Sequence, residues 1–188
     1  VNDYVCSKLY SAVKQAAKID ENTTVIDAYS GAGLMTAILC RGAKKAIGIE
    51  IVSEAVDIAN ELAISNGLSD KMTNILGKCE EVLPAILENE EKSGSNTILV
   101  LDPPRKGCDE KVIKSIQKQN IQRILYVSCN PSTLARDVGL IVGTLEYVGK
   151  DIKKVNNPIE KYKIECIRTF DMFPQTKHVE TLCVLEKL

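Results

Sequence analysis

Thr24-Val-Ile-Asp27-Ala-Tyr29-Ser-Gly31-Ala-Gly33-Leu-Met-Thr36 is the stretch that decides the fold. Thr24–Ala28 has the short β-rich apolar pattern of a buried strand. Gly31 and Gly33 then permit a tight turn and let backbone amides approach a ligand with no Cβ in the way. From Leu34 the apolar spacing turns helical. Strand, glycine turn and helix in that order open a βαβ unit, and the rhythm repeats along the chain. Further strands are predicted at Lys45–Ile49, Thr73–Leu76, Thr97–Leu101 and Arg123–Ser128, with two late ones near Tyr162–Phe170 and Glu180–Leu185. Helical periodicity occupies Tyr4–Lys18, Leu34–Arg41, Ser53–Asn66, Glu80–Glu91, Asp109–Gln119 and Ser132–Gly143. Strands separated by helices imply a parallel sheet covered on both faces. The last two strands lack a full helix between them and so form an antiparallel edge. The expected fold is one open, doubly wound α/β domain over residues 1–188, with a mostly parallel sheet. Ligands of such sheets bind beyond the carboxyl ends of the strands, where the winding reverses.

Composition narrows the classes. At 45% apolar and 26% charged residues the chain has an ordinary globular balance. Its apolar runs fall short of the roughly 18 residues of a membrane span, and Val1-Asn2-Asp3-Tyr4 does not open a secretory signal. Seven cysteines without a CxxC pair give no metal-ligand spacing and no disulfide framework. A reduced, cytoplasmic protein with no metal in this domain is the expectation. Cys6, Cys40, Cys79, Cys108, Cys166 and Cys183 sit among apolar neighbours and read as small hydrophobes. Charge is uneven: residues 1–94 carry nine Lys and Arg against fourteen Asp and Glu, and residues 95–188 carry fifteen against eleven. The acidic half suits a cationic small molecule, and the basic half tolerates phosphates. Glu88-Asn-Glu-Glu-Lys-Ser-Gly-Ser95 reads as an exposed loop. The start at Val1, without Met, reads as a piece of something longer.

Four strand ends carry the unusual residues. The Gly31–Gly33 turn alone fits dinucleotide binders, methyltransferases and plain tight turns alike. Thr36 stands where a dinucleotide fingerprint has its third glycine, which disfavours a nicotinamide enzyme. Glu50 ends the second strand, where a carboxylate can accept both ribose hydroxyls of either ligand. The fourth strand delivers Asp102 to its tip in Asp102-Pro-Pro-Arg105-Lys-Gly107, and the double proline stiffens the turn. Arg105 occupies a position that is aromatic in some enzymes methylating exocyclic amines, and so points away from amine chemistry. The fifth strand ends at Cys129, in Ser128-Cys-Asn130-Pro-Ser-Thr133, where a helix N-terminus would favour thiolate. Glu180 opens the last strand, with His178 two residues before it and, by alternation, on the same face.

Asp102-Pro-Pro-Arg-Lys-Gly107, Tyr126-Val-Ser-Cys129-Asn-Pro-Ser-Thr133 and Asp171-Met-Phe-Pro-Gln-Thr-Lys-His-Val-Glu180, in that order, closely resemble the bacterial RNA uridine-5-methyltransferases. The resemblance runs the length of the chain. It implies a class I S-adenosylmethionine-dependent methyltransferase fold, Rossmann-like, with S-adenosylmethionine as cofactor and RNA as partner. Overall similarity favours ribosomal RNA over transfer RNA. It also implies that Cys129 adds to C6 of a uracil and Glu180 removes the C5 proton. Tyr29, Gly31, Gly33, Glu50 and Asp102 would bind the cofactor, and Arg105, Asn130 and His178 are the candidate substrate contacts. Leu34 and Lys78 depart from the family pattern, and Gly149–Cys166 is longer than that pattern allows for. Relatives also carry an N-terminal RNA-binding domain, a central domain and, in some members, an iron–sulfur cluster; none falls within these 188 residues, which are expected to be the catalytic domain of a longer protein. Two other readings stay open: a class I methyltransferase of another substrate with Cys129 structural, and a non-catalytic RNA-binding module.

Overall fold

In the computed structural model, which describes residues 3–172 and 179–188, the deciding stretch forms β1 (Thr23–Ala28) at the centre of a seven-stranded sheet. β2 (Lys45–Glu50) and β3 (Met72–Leu76) extend it to one side, and β4 (Asn96–Leu101) and β5 (Arg123–Ser128) to the other, all parallel. After an outlying hairpin of β6 (Leu145–Val148) and β7 (Asp151–Lys154), β8 (Tyr162–Phe170) and β9 (Glu180–Lys187) close the sheet in the order β3-β2-β1-β4-β5-β9-β8. β9 runs antiparallel to both β5 and β8. The chain winds outward from β1 and then restarts at β4, so the switch point lies between the ends of those two strands.

Strict alternation places the side chains. Ile26, Leu99, Leu101, Ile124, Tyr126, Cys183 and Leu185 pack on one face. Val25, Ile98, Val100, Leu125, Val127, Leu182 and Val184 pack on the other. The first face is covered by α4 (Cys79–Lys92), α5 (Glu110–Lys118) and α6 (Pro131–Val142). The second is covered by α1 (Asp3–Ala17), α2 (Leu34–Cys40) and α3 (Ser53–Ser65). Burial on both faces is why the central strands read as continuous apolar runs. Among the described residues no helix is long and apolar enough to cross a membrane.

One reading needs correction. The Glu88–Ser95 patch is not a loop throughout: α4 continues to Lys92, and Glu90 is buried against Lys45 with Nζ–Oε1 at 2.6 Å. A partner from β2, distant in sequence, makes that glutamate a core-edge residue. The unexplained segment after α6 is partly regular. Leu145–Val148 pairs with Asp151–Lys154 across the two-residue turn Gly149-Lys150, and Leu145 lies against Gly139 of α6. Strands of four residues are too short for their alternation to stand out.

Candidate active site

Two cavities of about 350 Å³ each open at the switch point, and Tyr29 and Asp102 line both. One runs past Glu50, Lys78 and Gly107, the other past Tyr10, Asp27, Gly31 and Leu34. Together they form one divided cleft. Tyr29 adopts φ 69°, a left-handed conformation that a bulky residue seldom takes. Its ring packs toward Cys79 and Cys108 in the core, so the strained turn is anchored by apolar burial.

Glu50 is fixed by the backbone. Its Oε1 accepts from the amides of Ile51 (2.8 Å) and Val52 (2.9 Å), and its Oε2 accepts from Gly31 N–H at 2.9 Å. One lone pair on Oε2 therefore remains for another donor. Gly33 packs closely: at φ +78° a Cβ would lie 2.7 Å from the Ala59 Cβ of α3. Gly31 has nothing within 4 Å of where its Cβ would be. Thr36 donates to the buried Asp27 at 2.5 Å, so the residue standing in for a third glycine holds an acid instead. Burial pushes the Asp27 carboxyl up to about 6. Asp102 opens onto the cleft but is hemmed in by protein on its other sides. Desolvation, then the nearby Glu180 and Asp27, push it up to about 7.

Alternation and register bring the reacting candidates together. The last β5–β9 pair is Ser128↔Thr181, so Cys129 and Glu180 stand one register step beyond it, opposite each other. Counting by twos from Val127, Val100 and Leu182 puts Cys129, Asp102 and Glu180 on the α1 face of the sheet. Burial raises the Glu180 carboxyl, and Arg105 offsets part of that rise. Cys129 is half-buried. Burial pushes the thiol of Cys79 up to about 12 and that of Cys183 up to about 11, and raises those of Cys40 and Cys108, which marks these four as packing residues.

Asn130 caps α6 by accepting from Ser132 N–H at 3.1 Å, and its amide donates to the Arg105 carbonyl at 3.1 Å. Thr133 Oγ1 donates to that same carbonyl at 3.3 Å. Asn130 therefore clamps the Asp102–Asp109 loop onto the Cys129 turn. Arg105 is exposed, and its carboxylate neighbour is Glu180. His178 lies outside the described residues.

The sequence reading missed the residue that ties this loop down. Asp137, fully buried on α6, accepts from the Tyr126 hydroxyl (2.5 Å), Cys108 N–H (2.8 Å) and Arg136 Nε (2.8 Å). Arg136 Nη2 also donates to the Lys106 carbonyl at 2.9 Å. Gly107, at φ +82°, is the counterpart of this hub, since a Cβ there would fall 2.4 Å from Arg136 Nη2 and 2.5 Å from Asp137 Oδ2. An acid two turns into a helix gives no sequence signal, because its partners come from β5 and from the loop after β4. Among the described residues no group of three or more His, Cys, Asp and Glu side chains could hold a metal ion.

Residues 1–188 match, from end to end, the sequence profile of the tRNA (Uracil-5-)-methyltransferases. The chain belongs to that family. It is 36% identical over 188 residues to an uncharacterized RNA methyltransferase of Clostridium acetobutylicum, covering all of this chain and 36% of that one. It is 38% identical over 174 residues to the tRNA (uracil(54)-C(5))-methyltransferase of Saccharomyces cerevisiae, covering 92% of this chain and 25% of the yeast protein. The crystal structure of Pyrococcus abyssi tRNA (uracil-54, C5)-methyltransferase in complex with S-adenosyl-L-homocysteine superposes with a TM-score of 0.75 at 26% identity. That match covers 98% of this chain and 39% of the archaeal one. The chain thus spans about a third of the length of the curated relatives it matches, and its sheet and helices form the class I methyltransferase fold.

Proposed function

We propose that this family member binds S-adenosylmethionine in the divided cleft and methylates carbon 5 of a uridine in RNA, with Cys129 as nucleophile and Glu180 as base. The observation that carries the reading is the meeting of Cys129 and Glu180 across adjacent antiparallel strands, on the face where Asp102 borders the cleft.

Three features of the cleft suit the cofactor. Glu50 keeps an acceptor position for a ribose hydroxyl, held rigid by three amides. Gly31, with nothing within 4 Å of where its Cβ would be, leaves the cavity wall open for a ligand to approach the backbone. Asp27 and Asp102 bring negative charge to the cavity beside Tyr10, where a sulfonium would be favoured. When bound, the cofactor supplies a methyl group activated for attack by carbon.

The chain's own residues supply the rest. Uracil C5 is a poor nucleophile until something adds at C6. The Cys129 sulfur forms a bond to C6, and the electron pair of the C5–C6 double bond becomes available at C5 to take the methyl. The Glu180 carboxylate then removes the C5 proton, the double bond re-forms, and the C6–S bond breaks to return the Cys129 thiolate. A carboxyl raised by burial is better matched to this proton transfer near neutral pH than an exposed one. Asn130 and Thr133 keep the Asp102 loop against the Cys129 turn so that cofactor and nucleophile hold their spacing.

The reading extends to a cytoplasmic enzyme and to a uridine in RNA, not to one RNA class. The yeast and archaeal relatives cited above are named for uracil 54 of transfer RNA, and no residue of this chain carries the preference for ribosomal RNA expected from overall similarity. The test incubates the full chain, with S-adenosylmethionine, on transfer and ribosomal RNA fractions and measures 5-methyluridine by nucleoside mass spectrometry. Wild type is expected to form 5-methyluridine in one fraction, and Cys129→Ala in neither. RNA carrying 5-fluorouridine is expected to stay covalently attached to Cys129, because fluorine cannot leave as a proton does. Methylation at another atom, or full activity in Cys129→Ala, would refute the mechanism.

A further inference from the structure

A groove of about 510 Å³ opens between α1 and the end of β8, and the reaction above makes no use of it. Lys8, Ser11 and Gln15 form one wall, and Arg168, Thr169 and Phe170 the other. Its place in the fold is informative. Phe170 pairs with Glu180 across β8–β9, and Glu180 stands opposite Cys129 across β9–β5. Cys129, Glu180 and Phe170 therefore occupy three successive strand positions along one edge of the sheet. At about 4.8 Å per strand, Phe170 begins about 10 Å from the nucleophile, beside the next nucleotide of a bound strand. Phe170 packs on the α1 face, and Arg168, two residues before it, shares that face. Cofactor cleft, reacting pair and groove follow one another along the same side of the molecule.

The chemistry of the groove is cationic and aromatic. Other basic groups at this side of the sheet are occupied: Lys18, Arg123 and Lys163 pair with Glu165 and Glu186. Among the described residues Arg168 has no hydrogen bond or ion pair, and Lys8 lies over the Tyr4 ring at 4.3 Å with no carboxylate partner. Among the described residues no carboxylate lines the groove. Arg and Lys that no described carboxylate neutralises, beside a half-buried aromatic ring and with hydroxyl and amide donors between them, are what a single-stranded nucleic acid requires.

We propose that this groove holds the RNA strand adjoining the target uridine, with Arg168 and Lys8 on its phosphates and Phe170 against a base. The inference rests on the RNA uridine reading above and adds where the strand runs. Binding of a labelled single-stranded RNA 12-mer with one uridine is measured by fluorescence anisotropy, with the full chain saturated in S-adenosylhomocysteine. The Lys8→Ala/Arg168→Ala double variant is expected to bind about tenfold more weakly. Its log–log salt slope is expected to fall by about 1.4, for two single-strand phosphates. Phe170→Leu keeps apolar bulk and is expected to lose about fivefold or more through lost stacking. Melting temperature and S-adenosylhomocysteine affinity are expected to stay at wild-type values in the double variant, since both side chains are exposed. Unchanged RNA affinity and slope in that variant, with 5-methyluridine still formed, would overturn the groove and leave the reaction standing. Weakened binding, with a wild type that leaves every uridine unmodified, would support the groove as an RNA site and overturn the reaction. A wild type without affinity for RNA overturns both.

Discussion

Asp137→Asn isolates the hub that holds the cleft wall. The wild-type carboxylate uses both oxygens: Oδ2 serves the Tyr126 hydroxyl and Cys108 N–H, and Oδ1 serves Arg136. Asparagine keeps one acceptor oxygen. Oriented to retain Tyr126 and Cys108, it turns its NH₂ toward Arg136 and loses a charge-assisted bond worth about 1.5–3 kcal/mol. Arg136 is 35% exposed, so water recovers part of that loss. The net cost is about 2 kcal/mol, small enough against the about 5–15 kcal/mol of an ordinary domain for the variant to fold. Urea unfolding is expected to show a midpoint lower by about 1 M with an unchanged slope. Arg136→Ala and the double variant complete a cycle, in which coupling of about 1–2 kcal/mol is expected. Additivity within about 0.3 kcal/mol would refute the claim that Arg136 is the partner lost. Because Arg136 also holds Lys106, which lines the cleft, S-adenosylhomocysteine affinity measured by calorimetry is expected to fall in the same variants. A lower stability with wild-type affinity would disconnect the hub from the cleft.

Four further outcomes follow from the geometry. Gly107→Ala is expected to cost at least about 2 kcal/mol by chemical denaturation, from left-handed strain plus displacement of the Arg136–Asp137 pair, whereas Gly94→Ala, with positive φ but open space, costs about 1 kcal/mol; equal losses would refute the packing argument. Asp27 holds its proton up to about 6, so between the unfolded carboxyl value near 4 and pH 6 the folded state binds more protons and stability falls as pH rises. Asp27→Asn is therefore expected to gain on the order of 2 kcal/mol over wild type at pH 8 and almost nothing at pH 4, and a gain equal at both pH values would refute the assignment. Asp102, pushed up to about 7, becomes anionic above that pH, so the affinity ratio of S-adenosylmethionine over S-adenosylhomocysteine is expected to rise between pH 6 and pH 8 and to flatten in Asp102→Asn; a flat wild-type ratio would remove the charge argument. Glu180→Gln is expected to accumulate a covalent RNA–protein species with ordinary uridine RNA, visible as a shifted band on a denaturing gel, because the C5 proton stays in place; normal turnover would exclude Glu180 as the base.

Local chemistry by itself determined a good deal about this protein. Continuous apolar runs, the Gly31–Gly33 turn and the helical intervals were enough for a doubly wound sheet, because a strand buried on both faces and an amphipathic helix each leave a periodicity in a few consecutive residues. The motifs around Asp102, Cys129 and Glu180 pointed to the family in the same way, as short strings at strand ends. Only the tertiary structure decided which of these groups meet. The β5–β9 register sets Cys129 opposite Glu180, and one residue of slip would have turned Glu180 to the other face. Tyr29 owes its left-handed turn to core contacts from α4 and from the loop after β4. Glu90 is buried because Lys45 reaches it from β2, and Asp137 is held by donors from β5, α6 and the loop after β4. Lys45 lies 45 residues from Glu90 and Cys108 lies 29 from Asp137, and a buried charge depends on whichever group the fold brings within hydrogen-bonding distance.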